Sequence, residues 1–215
     1  MIIAIDGPAG AGKSTVAKRV SQELDYMYID TGAIYRTIAL GLMSQQVNIE
    51  DAAQLEQALS NMTIDYKIDA IYLNQQCVTE AIRQEKVSQK TSEVSKYPAV
   101  RKFATHIQQQ LSMNHHVVLE GRDIGTIVFP NADYKFFLTA DATIRGKRRF
   151  EELKQKGIDV TLDQVVTSIM ERDHQDTTRQ HSPLKKSEDA VVIDTSDLDI
   201  DQVVDLIIRQ IKLEG

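Results

Sequence analysis

The first fourteen residues of the chain contain the clearest chemical pattern. The octet Gly7-Pro8-Ala9-Gly10-Ala11-Gly12-Lys13-Ser14 has the spacing G-x-x-x-x-G-K-[ST] and directly follows the apolar run Ile2-Ile3-Ala4-Ile5-Asp6. Glycines at these positions let the backbone turn tightly and point N–H groups at an anion, which also faces the positive end of the next helix. In this pattern Lys13 reaches the β- and γ-phosphates and the Ser14 hydroxyl ligates magnesium. The octet therefore predicts a nucleoside triphosphate site.

The alternative for this octet is a plain glycine-rich turn that joins a strand to a helix. A helical pattern follows from Thr15 to Leu24, so the octet stands in the strand–loop–helix context in which the phosphate-binding pattern has its meaning. That context favours the triphosphate site over the plain turn.

Composition limits the partners of the protein. A formal net charge of -6 argues against non-specific binding of nucleic acid, so anionic ligands must be held by local clusters of arginine. The single Cys77 excludes an internal disulfide and fits a reducing compartment. No apolar stretch reaches the length of a membrane span, and the N-terminal strand leaves no room for a signal peptide. We therefore expect a cytoplasmic protein that binds neither membrane nor nucleic acid, and a monomer, because no long apolar stripe is left over.

Apolar runs that alternate with helical patterns predict the fold. The chain of 215 residues is long enough for one α/β domain with a small insertion. We expect strands at 1–6, 26–29, 115–120, 134–138 and 191–194, with helices at 15–24, from 31, 51–60, 84–95, 99–113, 143–156, 162–172 and 200–213. Thr31 is expected to cap the second helix. This order predicts an α/β protein with a doubly wound, five-stranded parallel sheet.

A different pattern occupies residues 62–78. Short alternating segments at 63–68, 71–73 and 77–78 are separated by turns, one of them at Asp69-Ala70. Such segments predict a small antiparallel meander inserted into the α/β frame.

Two charged stretches follow the central strands. The strand at 115–120 ends in Gly121-Arg122-Asp123, the place for a Walker-B-like element. The helix at 143–156 is rich in arginine and stops at Gly157. The helix at 162–172, with Val165, Val166, Ile169 and Met170 on its expected core face, leads into the run from Arg172 to Arg179. A solvated helix end is the alternative for that run, but a triphosphate site that otherwise holds one lysine favours a phosphate-binding arginine cluster.

Four segments together closely resemble the bacterial cytidylate kinase family, and the resemblance covers essentially the whole chain. It implies a P-loop kinase core in one domain (1–215), with an antiparallel β insertion in the monophosphate-binding region (about 62–95) and a short helical lid with arginine-rich helices (about 143–179). It also implies ATP-dependent phosphorylation of CMP and dCMP to CDP and dCDP, with Mg²⁺. The segments are Asp6–Ser14, Asp30-Thr31-Gly32-Ala33-Ile34-Tyr35-Arg36, Gly121-Arg122-Asp123-Ile124-Gly125-Thr126-Ile127-Val128-Phe129-Pro130, and Arg172–Arg179.

The resemblance assigns a role to individual residues. ATP phosphates and magnesium would be held by the P-loop and the helix start, with Ser14 as the metal ligand: Gly10, Ala11, Gly12, Lys13, Ser14 and Thr15. The catalytic charges would be Lys13, Arg122, Arg148, Arg172 and Arg179. Two questions stay open, namely whether Arg148 or Arg149 faces the phosphates, and whether Glu120 or Asp6 orders the water shell of magnesium.

On the acceptor side, the resemblance gives Arg36 the phosphate of the monophosphate and gives the cytosine base to Ser92, Arg101 and Asp123. Arg172 and Asp176 would contact the ribose and phosphate region. The full acceptor set is Thr31, Arg36, Ser92, Arg101, Arg122, Asp123, Arg172, Asp176 and Arg179.

Hydrogen-bond chemistry agrees with these base contacts. Cytosine presents an N4 amino donor beside the N3 and O2 acceptors. The Asp123 carboxylate accepts from the amine and Arg101 donates to the acceptors, whereas the O4 acceptor of uracil would repel the carboxylate. We therefore expect strong rejection of UMP.

Other classes of nucleotide-binding protein share part of this pattern. Another small-molecule P-loop kinase would share the loop and the fold. A non-GTPase nucleotide-binding regulatory module is a further alternative, while a GTPase switch is disfavoured because the guanine-reading N-K-x-D or T-K-x-D is absent.

Overall fold

The computed structural model describes residues 1–67, 70–155 and 157–214. Ile68, Asp69 and Lys156, which were predicted to lie in a strand, a turn and a helix end, fall outside the described residues. The chain forms two compact units: the first comprises Met1–Tyr28 and His116–Gly215, and the second comprises Ile29–His115. No helix within the described ranges is both long and apolar enough to cross a bilayer.

The regular elements follow the predicted order. The strands are β1 (Ile2–Asp6), β2 (Met27–Asp30), β3 (Ile64–Lys67), β4 (Ala70–Leu73), β5 (Gln76–Cys77), β6 (Val117–Gly121), β7 (Tyr134–Thr139) and β8 (Val191–Asp194). The helices are α1 (Lys13–Leu24), α2 (Thr31–Ser44), α3 (Ala52–Ser60), α4 (Glu85–Val94), α5 (Pro98–Ser112), α6 (Ala142–Gln155), α7 (Leu162–Thr178) and α8 (Ile200–Glu214).

The main sheet confirms the predicted fold class. Its five strands lie in the order β2-β6-β1-β7-β8, and β1 pairs in parallel with both β6 and β7. Its strands are apolar because helices cover the faces of a parallel sheet. On one face Ile3, Ile5 and Phe136 form a core with residues of α1 and α8, such as Val16 and Ile207. The carboxyl ends of β1 and β6 are adjacent, and there the sheet carries its polar loops.

The second unit contains the predicted insertion. Strands β3, β4 and β5 form an antiparallel sheet in that order, which confirms the meander. Helix α2 packs against α4 and α5 within the same unit. The prediction that Thr31 caps α2 is wrong: the Asp30 side chain accepts a hydrogen bond from the backbone N–H of Ala33 at 2.9 Å, and Thr31 is the first helical residue. Aspartate is as good a cap as threonine, and here it stands one position earlier.

Helix α7 differs from its prediction in two respects. It runs to Thr178 instead of ending near Arg172, so most of the charged run is helical. Thr161 and Gln164 form a capping box at its start, and no glycine or proline interrupts it. Met170, expected in the core, is 58% exposed, because it lies five residues after the buried Val165 and is therefore turned about 140° around the helix.

Helices α6 and α7 pack closely at Gly146. A Cβ atom at this position would lie 2.3 Å from Cγ2 of Val166 and 3.4 Å from its Cα, so a side chain would force the helices apart. Gly157, with φ of +70°, follows α6 and supports the predicted stop signal.

We expect Gly146→Ala to lower the free energy of unfolding. The clash should cost about 1–3 kcal/mol, which outweighs the gain of about 1 kcal/mol from the better helix propensity of alanine. In a Val166→Ala background the clash is relieved, so the same substitution should stabilise the protein. Urea unfolding of the four variants measures both effects. Equal stabilisation in the two backgrounds would contradict the close approach.

Candidate active site

The phosphate-binding loop between β1 and α1 is shaped by its glycines. Gly10 and Gly12 have φ of +76° and +84°, which side-chain-bearing residues rarely adopt. A Cβ atom at Gly7 would lie 2.0 Å from the carbonyl oxygen of Leu138, so the loop passes directly against β7. The loop therefore has the tight backbone path that an anion-binding concavity at a helix N-terminus requires.

Lys13 lies inside this loop. Its side chain is buried, and Nζ donates a hydrogen bond to the carbonyl oxygen of Pro8 at 2.7 Å. Burial, with a smaller contribution from the positive charge of Arg122, lowers the pKa of Lys13 to about 7, while Glu120 opposes the shift. The amine is thus placed where an added negative charge would change its protonation.

The hydroxyl of Ser14 and the two candidate carboxylates have distinct surroundings. Ser14 Oγ donates to Glu120 Oε1 at 2.7 Å. Asp6 instead accepts from the backbone N–H groups of Ile124 and Gly125, at 2.9 and 2.8 Å, and burial raises its pKa to about 6. Asp6 therefore anchors the loop that follows β6, whereas Glu120 lies beside the predicted metal ligand. Of the two carboxylates left open by the sequence, the geometry favours Glu120.

A second charged group, the Arg–Asp cluster, consists of Arg122, Asp123, Asp176 and Arg179. Arg122 Nε contacts Asp176 Oδ2 at 2.9 Å, and Arg179 Nη1 contacts Asp176 Oδ1 at 3.4 Å. Arg179 Nη2 lies 3.9 Å from Asp123 Oδ1. These four side chains are each less than one-fifth exposed, so their charges act in a medium less polar than water. The cluster joins the loop after β6 to the end of α7.

Helix α6 contributes an arginine that sequence reasoning missed. Arg145 is buried, its Nη1 donates to the carbonyl oxygen of Ala9 in the phosphate-binding loop at 2.9 Å, and the same atom lies 2.6 Å from Asp173 Oδ2. The available signal was spacing, because Arg145 and Arg148 are three residues apart and share one helix face.

The structure distinguishes Arg148 from Arg149. Arg148 donates to the Thr195 hydroxyl at 3.1 Å and to the Thr195 carbonyl at 2.5 Å, and that hydroxyl in turn lies 3.4 Å from the carbonyl oxygen of Ala11. Arg149 is 47% exposed and pairs with Glu152 on its own helix. Of the two, Arg148 is the one directed toward the phosphate-binding loop, which it reaches indirectly through Thr195. Its role near the transferring phosphoryl group stays a prediction.

In the second unit, two arginines are held in different ways. Arg36 pairs with Asp30 at 2.8 Å, so the residue that caps α2 also orients this guanidinium. Arg101 is buried, donates to the carbonyl oxygen of Ser95 at 3.2 Å, and lies 5.5 Å from the ring centroid of Tyr35. This cation–π contact was not predicted, although Tyr35 stands in the recognised motif beside Arg36.

A sequence model of the family described as cytidylate kinase matches residues 3–213. The chain belongs to the cytidylate kinase family. It is 43% identical to the cytidylate kinase of Fusobacterium nucleatum subsp. nucleatum, covering 99% of this chain and 97% of that protein. It is 46% identical to the cytidylate kinase of Pseudothermotoga lettingae, with 99% and 96% coverage. A shikimate kinase structure from Bacteroides thetaiotaomicron matches with a TM-score of 0.51 at 11% identity, covering 99% and 98%, which shows a shared fold only.

For this member of the cytidylate kinase family, the predicted site residues are distributed over both compact units. The phosphate-loop residues and the Arg–Asp cluster lie in the first unit. Arg172 is exposed on α7, and its charge contributes to the lowered pKa of Lys13. The second unit holds the buried Thr31 and Arg101, the half-buried Arg36, and Ser92, whose exposed hydroxyl lies 3.4 Å from the carbonyl oxygen of Ser88 within α4.

Binding of Mg-ATP at pH 8 should take up about one proton per site, because the free Lys13 amine, with a pKa of about 7, is mostly neutral there and phosphate restores its charge. Titration calorimetry in two buffers of different ionisation enthalpy measures the uptake. Lys13→Met should bind without it. Proton-neutral binding by the wild type would contradict the lowered pKa.

Proposed function

We propose that the protein transfers the γ-phosphoryl group of ATP to CMP and dCMP, with Mg²⁺, and forms CDP and dCDP. The observation that carries this proposal is the Arg–Asp cluster. It places two arginines and two aspartates in the same compact unit as the phosphate-binding loop and its buried Lys13. A protein that only binds ATP has no need of an arginine cluster in addition to the phosphate-binding loop. An enzyme whose acceptor is itself a phosphate must bind that second phosphate group, and arginines suit this role.

On the donor side, the roles follow from the loop. The backbone of Gly10, Ala11 and Gly12 would bind the phosphates, together with the N-terminus of α1 at Ser14 and Thr15. Lys13 would exchange its hydrogen bond with Pro8 for the β- and γ-phosphates. Because it is buried, its charge would act on the phosphates with little screening by water.

Magnesium fits the residues present. Ser14 and Glu120 offer a hydroxyl and a carboxylate with their oxygens 2.7 Å apart, and oxygen ligands suit Mg²⁺. No group of three His, Cys, Asp or Glu side chains in the described part of the chain forms a metal site, which suits an ion carried mainly by ATP phosphates. When bound, the ion would neutralise charge on the transferring group, with Ser14 as its protein ligand and Glu120 ordering its water.

On the acceptor side, we assign the cytosine amine to the Asp123 carboxylate and the cytosine acceptors to Arg101. The burial of both side chains supports this role, because a hydrogen bond to a base discriminates best where water cannot replace it. Ser92 would add a hydroxyl contact to the base. The acceptor phosphate would be held by Arg36 and Arg179.

Phosphoryl transfer to this acceptor needs no general base. The attacking group is a phosphate oxygen that is mostly ionised at pH 7, because its second pKa is about 6. The protein must therefore align the two phosphates and neutralise their charge. Lys13, Arg122, Arg172 and Arg179 would supply this charge, with Arg148 added from α6. Asp176, which pairs with two of these arginines, would orient them and contact the ribose region.

The proposal extends to the cellular context. We propose a cytoplasmic monomer that acts on small nucleotides and binds neither nucleic acid nor membrane. The net charge of -6 supports the first exclusion, since phosphate backbones repel an acidic surface. The exposed, free Cys77 suits a reducing compartment.

The test is ADP release from Mg-ATP with CMP, dCMP, UMP, AMP or GMP as the acceptor. We expect rapid turnover with CMP and dCMP and little with the other three. Turnover with none of them would move the acceptor outside the nucleotides and favour another small-molecule kinase. The family match does not favour that alternative, nor a non-GTPase regulatory module.

A further inference from the structure

Lys135 is a buried lysine on the fourth strand of the five-stranded parallel sheet. It lies on β7 with its side chain 7% exposed. Its neighbour Phe136 belongs to the apolar core on one face of the sheet, together with Leu138. Because successive side chains of a strand point to opposite faces, Lys135 lies on the other face. A lysine is seldom fully buried without a partner, so its contacts identify what it does there.

The Lys135 ammonium joins two segments that are distant in sequence. It donates to the carbonyl oxygen of Pro130 at 2.5 Å, and it pairs with Asp189 Oδ2 at 2.7 Å. Ser187 Oγ is 3.5 Å away. The stem of the lysine passes close to Gly125, where a Cβ atom would lie 3.2 Å from Lys135 Cδ. The lysine thus contacts the loop at 121–130 along its length and the end of the loop at 179–190.

The same two loops meet again at the Arg–Asp cluster. Arg122 and Asp123 directly follow Gly121, the last residue of β6, at the start of the 121–130 loop, and Arg179 begins the 179–190 loop. Arg179 Nε donates to the carbonyl oxygen of Ser182, and the Leu184 backbone N–H donates to the carbonyl oxygen of Asp176 at 2.7 Å. The path of the second loop therefore sets where the Arg179 guanidinium lies. Lys135 holds the far ends of both loops, and the cluster forms at their near ends.

We propose that Lys135, with Asp189 as its counter-charge, is a positioning residue for phosphoryl transfer, which holds the 121–130 and 179–190 loops together so that Arg179 and Arg122 stay aligned on the acceptor phosphate. Lys135 acts through these arginines and does not itself touch the substrate. The inference rests on the proposed function, because alignment matters only if the cluster binds the acceptor.

The chain offers well-matched variants for the test. Lys135→Met keeps the aliphatic stem against Gly125 and removes only the ammonium. Asp189→Asn changes an exposed side chain, 63% accessible, and removes the counter-charge without creating a cavity. Lys186→Met, an exposed lysine in the 179–190 loop, is the control and should keep kcat within about twofold of wild type.

We expect Lys135→Met to lower kcat for CMP by about tenfold to a hundredfold, because a shift of about 1 Å in positioned groups has effects of this size. Asp189→Asn should lower kcat in the same direction and by less. The KM for ATP should stay within about twofold, since the Lys135 ammonium bonds to Pro130, Ser187 and Asp189, which lie outside the phosphate-binding loop. Circular dichroism and active-site titration give the concentration of folded enzyme, to which each kcat is normalised.

A double-mutant cycle with Arg179→Ala separates positioning from general stability. If Lys135 acts through Arg179, Lys135→Met should reduce kcat by less than about threefold in the Arg179→Ala background. An unchanged kcat per folded molecule in Lys135→Met, or an equal fold-loss in both backgrounds, would overturn the inference. If Lys135→Met does not fold, Asp189→Asn decides in the same cycle. Wild-type enzyme that fails to phosphorylate CMP and dCMP would instead refute the proposed function, and the inference would fall with it.

Discussion

Lys13→Met should lower kcat for CMP phosphorylation by about a hundredfold to a thousandfold, the usual effect of removing one preorganised charge from a transferring group. The side chain is buried, and its amine donates to the Pro8 carbonyl oxygen within the phosphate-binding loop, where bound phosphate would hold it in the charged form. Methionine fills nearly the same volume, so the loop and α1 should keep their fold. The lost charge should therefore appear in kcat more than in stability.

The measurement is steady-state ADP release at saturating Mg-ATP and CMP, with Lys18→Met as the control. Lys18 lies on the exposed face of the same helix, and its replacement should leave kcat within about twofold. If Lys13→Met had the same kcat as the wild type, the octet would have no part in catalysis, and the assignment of the triphosphate site would be contradicted.

Asp123→Asn should lower kcat/KM for CMP by about a hundredfold while changing the value for UMP far less, because a lost charge-assisted hydrogen bond to the base is felt only where the base donates. Asp123 is buried and lies 3.9 Å from Arg179. The substitution therefore tests two roles at once. If Asp123 reads the base, kcat/KM should fall much more for CMP than for UMP. If Asp123 only holds Arg179, kcat/KM should fall by the same factor for both nucleotides.

Equal losses on CMP and UMP would thus contradict the base-reading role and leave a positioning role for Asp123. Asp205 is an exposed carboxylate on α8, so Asp205→Asn is the control for a general effect of charge. This substitution should change kcat/KM for neither CMP nor UMP. Assays at matched ionic strength keep the screening of the remaining charges constant.

Several features of this protein could be predicted because their physical cause is local. The phosphate-binding loop requires glycines, a lysine and a hydroxyl at contiguous positions, so its pattern is complete within the octet. The five-stranded sheet and the antiparallel insertion follow from apolar periodicity, which strands impose on their own residues. The errors were local too: Asp30 caps α2 one position before Thr31, and α7 continues past Arg172.

The contacts of the individual charged residues could not be predicted from the sequence in the same way. The resemblance to a family named the arginines and aspartates, but not which of them meet. Asp176 contacts Arg122 across 54 positions of sequence, and Lys135 contacts Asp189 across the same number. No periodicity links such residues, because their proximity depends on the order in which β1, β6, β7 and β8 assemble.

By itself, then, the sequence determined the fold class, the triphosphate loop and, through its motifs, the family. Only the tertiary structure decided that Glu120 accompanies Ser14 while Asp6 anchors a loop, and that Arg148 and not Arg149 faces inward. It also decided that Arg145 contacts the phosphate-binding loop and that Lys135 joins two distant loops. The physical reason is that hydrogen bonds and charges act over a few ångströms in space. Residues far apart along the chain reach that distance only after the sheet has brought their loops together.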